Sequence, residues 1–207
     1  MILSDTTLDK IMLLFLEKGY FDTSLNDIAV AANANRSMLS RHFGGKQGIF
    51  HAMLQRFRGK VVVEATAALH DSSLGMDGIK QFFMQFIECS RELASSQGCF
   101  MIAVAANLPV HEPQAARVIE EFIHYLQSLF YKNLRWQQKE KQLDAEVNTE
   151  MLADFLVGNV VGLMTLLRSA SDPRMLQHQV QAIIHYLSTL RRVVAPNNLH
   201  VIGDRVC

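Results

Sequence analysis

Proline and glycine are scarce, four and eleven among 207 residues. That leaves too few turn residues for many short strands and suits long helices instead. Cysteine is scarcer still. Cys89, Cys99 and Cys207 are an odd number without paired spacing, which argues against a disulfide framework and for reduced thiols in a cytoplasmic protein. An excess of one charge is missing too, with 20 basic and 20 acidic residues, so net charge alone does not point to nucleic acid. The opening MILSDTT is too short and polar for a signal peptide. The most apolar stretch, Met151 to Leu167, holds Asp154 and Asn159 and is expected to fall short of a membrane span. No HExxH, CxxC, Gly-rich phosphate loop or Gly-x-Ser-x-Gly occurs. The eight histidines are scattered, and His178 and His185 read as one helical stripe rather than a metal pair. Neither catalysis nor a metal or cofactor is therefore expected.

What is abundant is apolar residues, 49% of the chain, enough to expect some apolar surface at a subunit interface. They recur with helical period. Leu8, Ile11, Met12, Phe15 and Leu16 form one stripe, ended by Gly19. Thr23 and Ser24 then offer an N-cap, with Asp27 three residues after Ser24 as in a capping box. Leu25, Ile28, Ala29 and Ala32 back that helix. Asn33-Ala34-Asn35 is a turn, and a third helix runs from Arg36 to His42 with Leu39 and Phe43 inward. Gly44-Gly45 breaks it, and a long helix follows from Lys46. Three short helices and a long one within about 60 residues make a helix-turn-helix module. Beyond it only helical patterns occur, with helices expected near 46–70, 76–96, 99–108, 112–140, 148–169 and 173–194. His111-Glu112-Pro113 reads as a turn before one of them. The fold class is all-α, divided into a DNA-binding domain over 1–50, a larger helical domain over 51–195 and a mobile tail over 196–207.

Charge is uneven along the chain. Between Asp27 and Glu64 there is no acidic residue, whereas Arg36, Arg41, Lys46, Arg56, Arg58 and Lys60 are basic. A neutral chain that concentrates positive charge on one small module carries the footprint of a phosphate binder. A solvated helix face would carry the same charge, but placement favours DNA: Arg36, Ser37, Ser40 and Arg41 fall opposite Leu39 and Phe43, as a helix reading base edges requires.

The stretch LDKIMLLFLEKGYFDTSLNDIAVAANANRSMLSRHFGGKQGIFHAML resembles the DNA-binding domain of the tetracycline-repressor (TetR) family. Phe15 to Tyr20, Thr23, Ile28-Ala29, Ala32, Leu39, His42-Phe43, Lys46 and Phe50 fall in register with its motif. Gln97 to Met101, followed by His111-Glu112-Pro113, is similar to a segment of the family's second half. The resemblance implies that Thr23, His42 and Lys46 hold phosphates of double-stranded DNA, and that Arg36, Ser37, Met38 and Arg41 face the bases. Asn33-Ala34-Asn35 stands where the family usually has Gly-Val-Ser, and Ser40 where it often has a phosphate-contacting tyrosine. For the second half it implies a pocket for a small, mostly apolar effector. Phe82, Phe86, Cys89, Met101, Phe122, Tyr125 and Met164 lie on expected inner faces, where ordinary core packing is the first reading of each and pocket lining the reading the resemblance adds.

The last two helices, 148–169 and 173–194, are apolar over more than one face. Leu152, Phe155, Leu156, Val160, Leu163 and Leu167 mark the first; Leu176, Val180, Ile183, Ile184, Leu187 and Leu190 mark the second. That pattern suits a homodimer built as a four-helix bundle. The expected function is a repressor, released from a pseudo-palindromic operator by its effector. The alternative is a thiol-based redox sensor acting through Cys89 or Cys99.

Overall fold

The computed structural model describes residues 3–57, 59, 62–92, 113–169 and 172–190. No strand occurs among the described residues. The first helix, α1 (Asp5–Asp22), starts at Ser4, whose side chain accepts from the Thr7 amide, and is kinked at Gly19 with φ 77°, the left-handed region that glycine enters without strain. The helices α2 (Leu25–Ala32), α3 (Arg36–Phe43) and α4 (Lys46–Phe57) follow. Their apolar stripes meet in one core: Ile11 and Phe15 from α1, Ile28 and Ala32 from α2, Leu39 from α3, and Ile49, Phe50, Met53 and Leu54 from α4. The Phe50 ring is its centre, 5.1 Å from Phe15 and 4.6 Å from Tyr20. The expected division after residue 50 falls inside α4, which runs on to Phe57 and also packs on the C-terminal half.

The turn into α4 is tight. A Cβ on Gly48 would lie 1.6 Å from the Phe43 carbonyl oxygen and 2.7 Å from its carbon. Both are backbone atoms, so neither yields cheaply. Gly48→Ala is expected to destabilise the fold by about 1–3 kcal/mol or more, as overpacking does, which a urea unfolding curve will read directly. An unchanged midpoint would mean that α3 and α4 separate freely.

The long helix expected over 46–70 is interrupted. After Phe57 the chain makes the short helices α5 (Val63–Ala65) and α6 (Ala67–His70), with Thr66 between them at φ −97°, ψ 6°. The Thr66 hydroxyl donates to the Val62 carbonyl at 2.8 Å, a back-bond that bends helices. A 3₁₀ turn (Ser72–Leu74) leads to α7 (Gly75–Glu92). The remaining described helices are α8 (Pro113–Lys139), α9 (Thr149–Arg168) and α10 (Pro173–Thr189). The α8 helix is the hub: α4, α6, α7 and α9 all pack on it, and α7 also packs on α10. Phe82, Phe83 and Phe130 join α7 to α8, with Phe130 5.5 Å and 6.0 Å from the other two rings. The helix expected over 99–108 and the tail over 196–207 lie outside the described residues.

One expectation is corrected here. The segment from Thr149 to Leu167 is in fact long and apolar enough to cross a membrane by length and composition, because its two carboxylates, Glu150 and Asp154, and its few uncharged polar residues are diluted over five turns. Only 33% of it is buried, so this helix has apolar faces left to cover.

Candidate nucleic-acid interface

The site is built on α2 and α3. Ser24 caps α2 in a reciprocal box: the Asp27 amide donates to its hydroxyl at 3.1 Å, and its own amide donates to the Asp27 carboxylate at 2.8 Å. The Asp27 carboxylate also accepts from the Ser24 hydroxyl at 2.5 Å and from Lys18 at 3.0 Å. These donors, the Ser24 hydroxyl first, hold the carboxyl well below the usual carboxylate range. A depressed folded pKa adds stability above the unfolded value, and that stability is lost as the pH falls through the folded one. Asp27→Asn is therefore expected to lower the melting temperature at neutral pH. The gap to the unsubstituted protein should close from about pH 4 downward. A gap of constant size across that range would mean that the charge of Asp27 plays no part.

Between α2 and α3 the chain turns at Asn33, in the left-handed conformation at φ 48°, ψ 47°. Asparagine tolerates that region because its short side chain bonds locally. Asn35 then caps α3, its side-chain oxygen accepting from the Ser37 amide at 2.8 Å and the Met38 amide at 3.4 Å. This cap was not anticipated, since the whole Asn33-Ala34-Asn35 run reads as turn. At the other end Gly44 stops α3 at φ 78°, its amide donating to the Ser40 carbonyl. With Leu39 fully buried, α3 is held by one face and shows the other. Arg36, Ser37, Ser40 and Arg41 are all exposed on it. Arg36 also borders a shallow concavity with Asn26, Val30 and Asn33 of the preceding helix and turn.

The other residues expected to touch DNA stand differently. Thr23 is fully buried, and its hydroxyl donates to the Gly19 carbonyl at 2.6 Å. It closes the kink of α1; the exposed hydroxyl at the start of α2 belongs to Ser24. Met38 is half-buried against the core. His42 is exposed but turned towards the start of α1 and the middle of α4, where it lines a groove with Leu3, Leu8 and Ala52. Lys46 lies in the first turn of α4, its ammonium donating to the Phe21 carbonyl at 3.2 Å and resting 4.4 Å above the Tyr20 ring. Arg56 is withdrawn from the basic set. Its guanidinium pairs with Asp5 at 2.8 Å and Asp9 at 2.9 Å, two carboxylates that sit on α1. Asp9 first, and Asp5 after it, raise its pKa. Arg58 and Lys60 lie outside the described residues.

In the C-terminal half, Phe82 and Phe122 are buried. Phe82 meets Phe83 and Phe130, contacts that core packing explains. Met164 is half-buried. Tyr125, also half-buried, has its hydroxyl 2.9 Å from His70 Nε2 and 3.3 Å from the Thr66 hydroxyl, so α8 touches the interrupted segment there. The side chains of Phe86 and Cys89 on α7, and all of Cys99, Met101 and Cys207, lie outside the described residues. At the far end a groove runs between α9 and α10, lined by Phe155, Met175, His178, Ile183 and Tyr186 among others. Phe155 is 46%, Met175 53% and Tyr186 45% exposed, and the Phe155 and Tyr186 rings meet edge-on at 5.5 Å. Exposed apolar side chains of that size thus stand side by side on two helices.

Two family models match the chain. Residues 8–53 match the bacterial regulatory proteins of the tetR family, and residues 75–183 match the tetracyclin repressor-like C-terminal domain. The HTH-type transcriptional repressor ComR of Escherichia coli (strain K12) is 26% identical over 174 residues, covering 81% of this chain and 80% of its own. The HTH-type transcriptional repressor DhaR of Mycobacterium sp. (strain GP1) is 24% identical over 153 residues, covering 72% and 73%. Among solved structures, a cysteine mutant of the TetR family transcriptional regulator CifR, complexed with 26-base-pair operator DNA, superposes with a TM-score of 0.77. It is 22% identical, and the match covers 87% of this chain and 95% of that one.

Proposed function

The chain belongs to the tetracycline-repressor (TetR) family, and from that premise we propose that it is a repressor that binds a pseudo-palindromic operator as a homodimer and leaves it when a small, mostly apolar effector binds the C-terminal half. The observation that carries the DNA reading is α3. It is capped by Asn35, buried at Leu39, and presents Arg36, Ser37, Ser40 and Arg41 to solvent on one face. A rigid helix with two arginines and two hydroxyls outward fits a major groove, where arginine reads guanine and hydroxyls read either partner. The Lys46 ammonium, at a helix N-terminus that itself attracts anions, suits an adjacent phosphate. The curated relatives ComR and DhaR are described as repressors, which supports the sign of regulation.

The dimer reading rests on α9 and α10. Their groove joins Phe155 and Tyr186 to Met175 and His178, and a two-fold axis through it would bury the apolar faces that one chain leaves open. Two reading heads then have a fixed separation. An effector that favours a state with another separation weakens binding to both half-sites at once. The test is titration of the purified chain against the DNA upstream of its own gene, with excess unrelated duplex as competitor. Saturable binding of one dimer per site, resistant to competitor, is the expected result. Binding that competitor abolishes would remove the repressor reading.

A further inference from the structure

Within the C-terminal half, α8 carries two carboxamides sealed from solvent. Asn133 is 0% exposed and Gln137 1%, one turn apart. They lie where α6, the 3₁₀ turn and the start of α7 meet α8. The orientation of Asn133 is fixed. Its Nδ2 donates to the carbonyls of Leu69 and Leu129, both at 2.8 Å. Turning the amide over would set its oxygen against two carbonyl oxygens, so Oδ1 is the end that faces away from them. Among the described residues no donor reaches that oxygen, nor Gln137 Oε1. Among the described residues only one other buried side-chain atom shares this condition, His51 Nε2 on α4. Two of the three unmatched atoms are therefore acceptors on adjacent turns of one helix face.

Buried acceptors are almost always matched, by protein or by ordered water. The surroundings limit what can do so here. A Cβ on Gly75 would lie 1.5 Å from Gln137 Nε2, so the Gln137 amide is pressed against the backbone that opens α7. Phe130 and Leu134, flanking the pair on α8, are fully buried as well. An occupant that matches both oxygens in so closed a site has to be small and offer two protons, one to each. Side chains one turn apart on a helix have Cβ atoms about 5–6 Å apart, a span that two hydrogen bonds from one atom bridge.

We propose that one water molecule is held between Asn133 Oδ1 and Gln137 Oε1 and donates a proton to each. It belongs to the class of buried waters that satisfy otherwise unmatched polar groups. Together with the Asn133–Leu69 bond it pins α8 to the corner after α6, the end of the interrupted segment that leads back to the helix-turn-helix module. The proposal stands independently of the operator and the effector.

A crystal structure of the chain grown in ammonium-free buffer, at a resolution that shows ordered solvent, tests it. The expected result is a density peak within hydrogen-bond distance of both oxygens. Oxygen-17 magnetic relaxation dispersion supplies a second reading, in which Gln137→Met should hold one long-lived water fewer than the unsubstituted chain. A dry site overturns the proposal. So does a peak that forms only in the presence of ammonium, or an unchanged water count in folded Gln137→Met protein. Should that variant not fold, the density in the unsubstituted chain decides alone.

Discussion

Replacing Arg36 or Arg41 by alanine is expected to abolish selective operator binding while leaving the melting temperature unchanged. Both side chains are exposed on α3, so truncation removes no packing. A bidentate arginine–guanine contact is worth about 1–3 kcal/mol of discrimination, and a two-fold complex loses it twice. The summed loss of about 2–6 kcal/mol corresponds to roughly 30-fold to over 10,000-fold in affinity. Fluorescence anisotropy on the operator and on a scrambled duplex of equal length separates base reading from charge. If Arg36→Ala weakens both duplexes equally, Arg36 is a phosphate contact and the bases are read elsewhere. Lys46→Ala is the contrasting variant, expected to weaken both alike.

A second large effect is expected at the other end of the molecule. Phe155→Asp should convert the dimer to monomer and remove operator binding with it, although the residue lies far along the chain from α3. Phe155 is 46% exposed in the single chain and packs edge-on against Tyr186, so the fold does not depend on it as it does on Leu156 or Val160, both 0% exposed. In a two-fold interface the substitution buries a carboxylate without a partner on each side. That costs several kcal/mol, on the order of 100-fold or more in the dimer dissociation constant. Sedimentation velocity reads the state, and circular dichroism checks that the monomer remains helical. A variant that stays dimeric at the same concentrations would place the subunit contact on another face.

What could be read from the sequence was mostly local. The Ser24–Asp27 box, the turn at Asn33 and the stop at Gly44 each depend on a few neighbouring residues, and each is present. Helical stripes gave the buried side of α3 and the apolar excess of α9. Asn35 was local too, yet two asparagines two residues apart read as one turn when the second is a cap. Two residues misled for different reasons. Thr23 reads as a surface hydroxyl because nothing nearby announces that the kink at Gly19 swallows it. Arg56 reads as part of a basic run because its partners, Asp5 and Asp9, lie 51 and 47 residues away. The break at Thr66 was hidden for a third reason: threonine sits tolerably in a helix, and its hydroxyl decides the bend only through the carbonyl it finds.

The pairing of Arg56 reaches beyond local stability. A cation already neutralised by two carboxylates has no condensed counterions to displace from DNA, so it adds nothing to the ionic-strength dependence of the complex. Of the basic residues between Asp27 and Glu64 whose side chains are described, Arg36 and Arg41 stand exposed on α3 to do so. With a contribution of about −0.9 to the slope of log K against log salt for each phosphate met, the pairing of Arg56 takes one such contribution from each chain away from what the basic run promises in sequence.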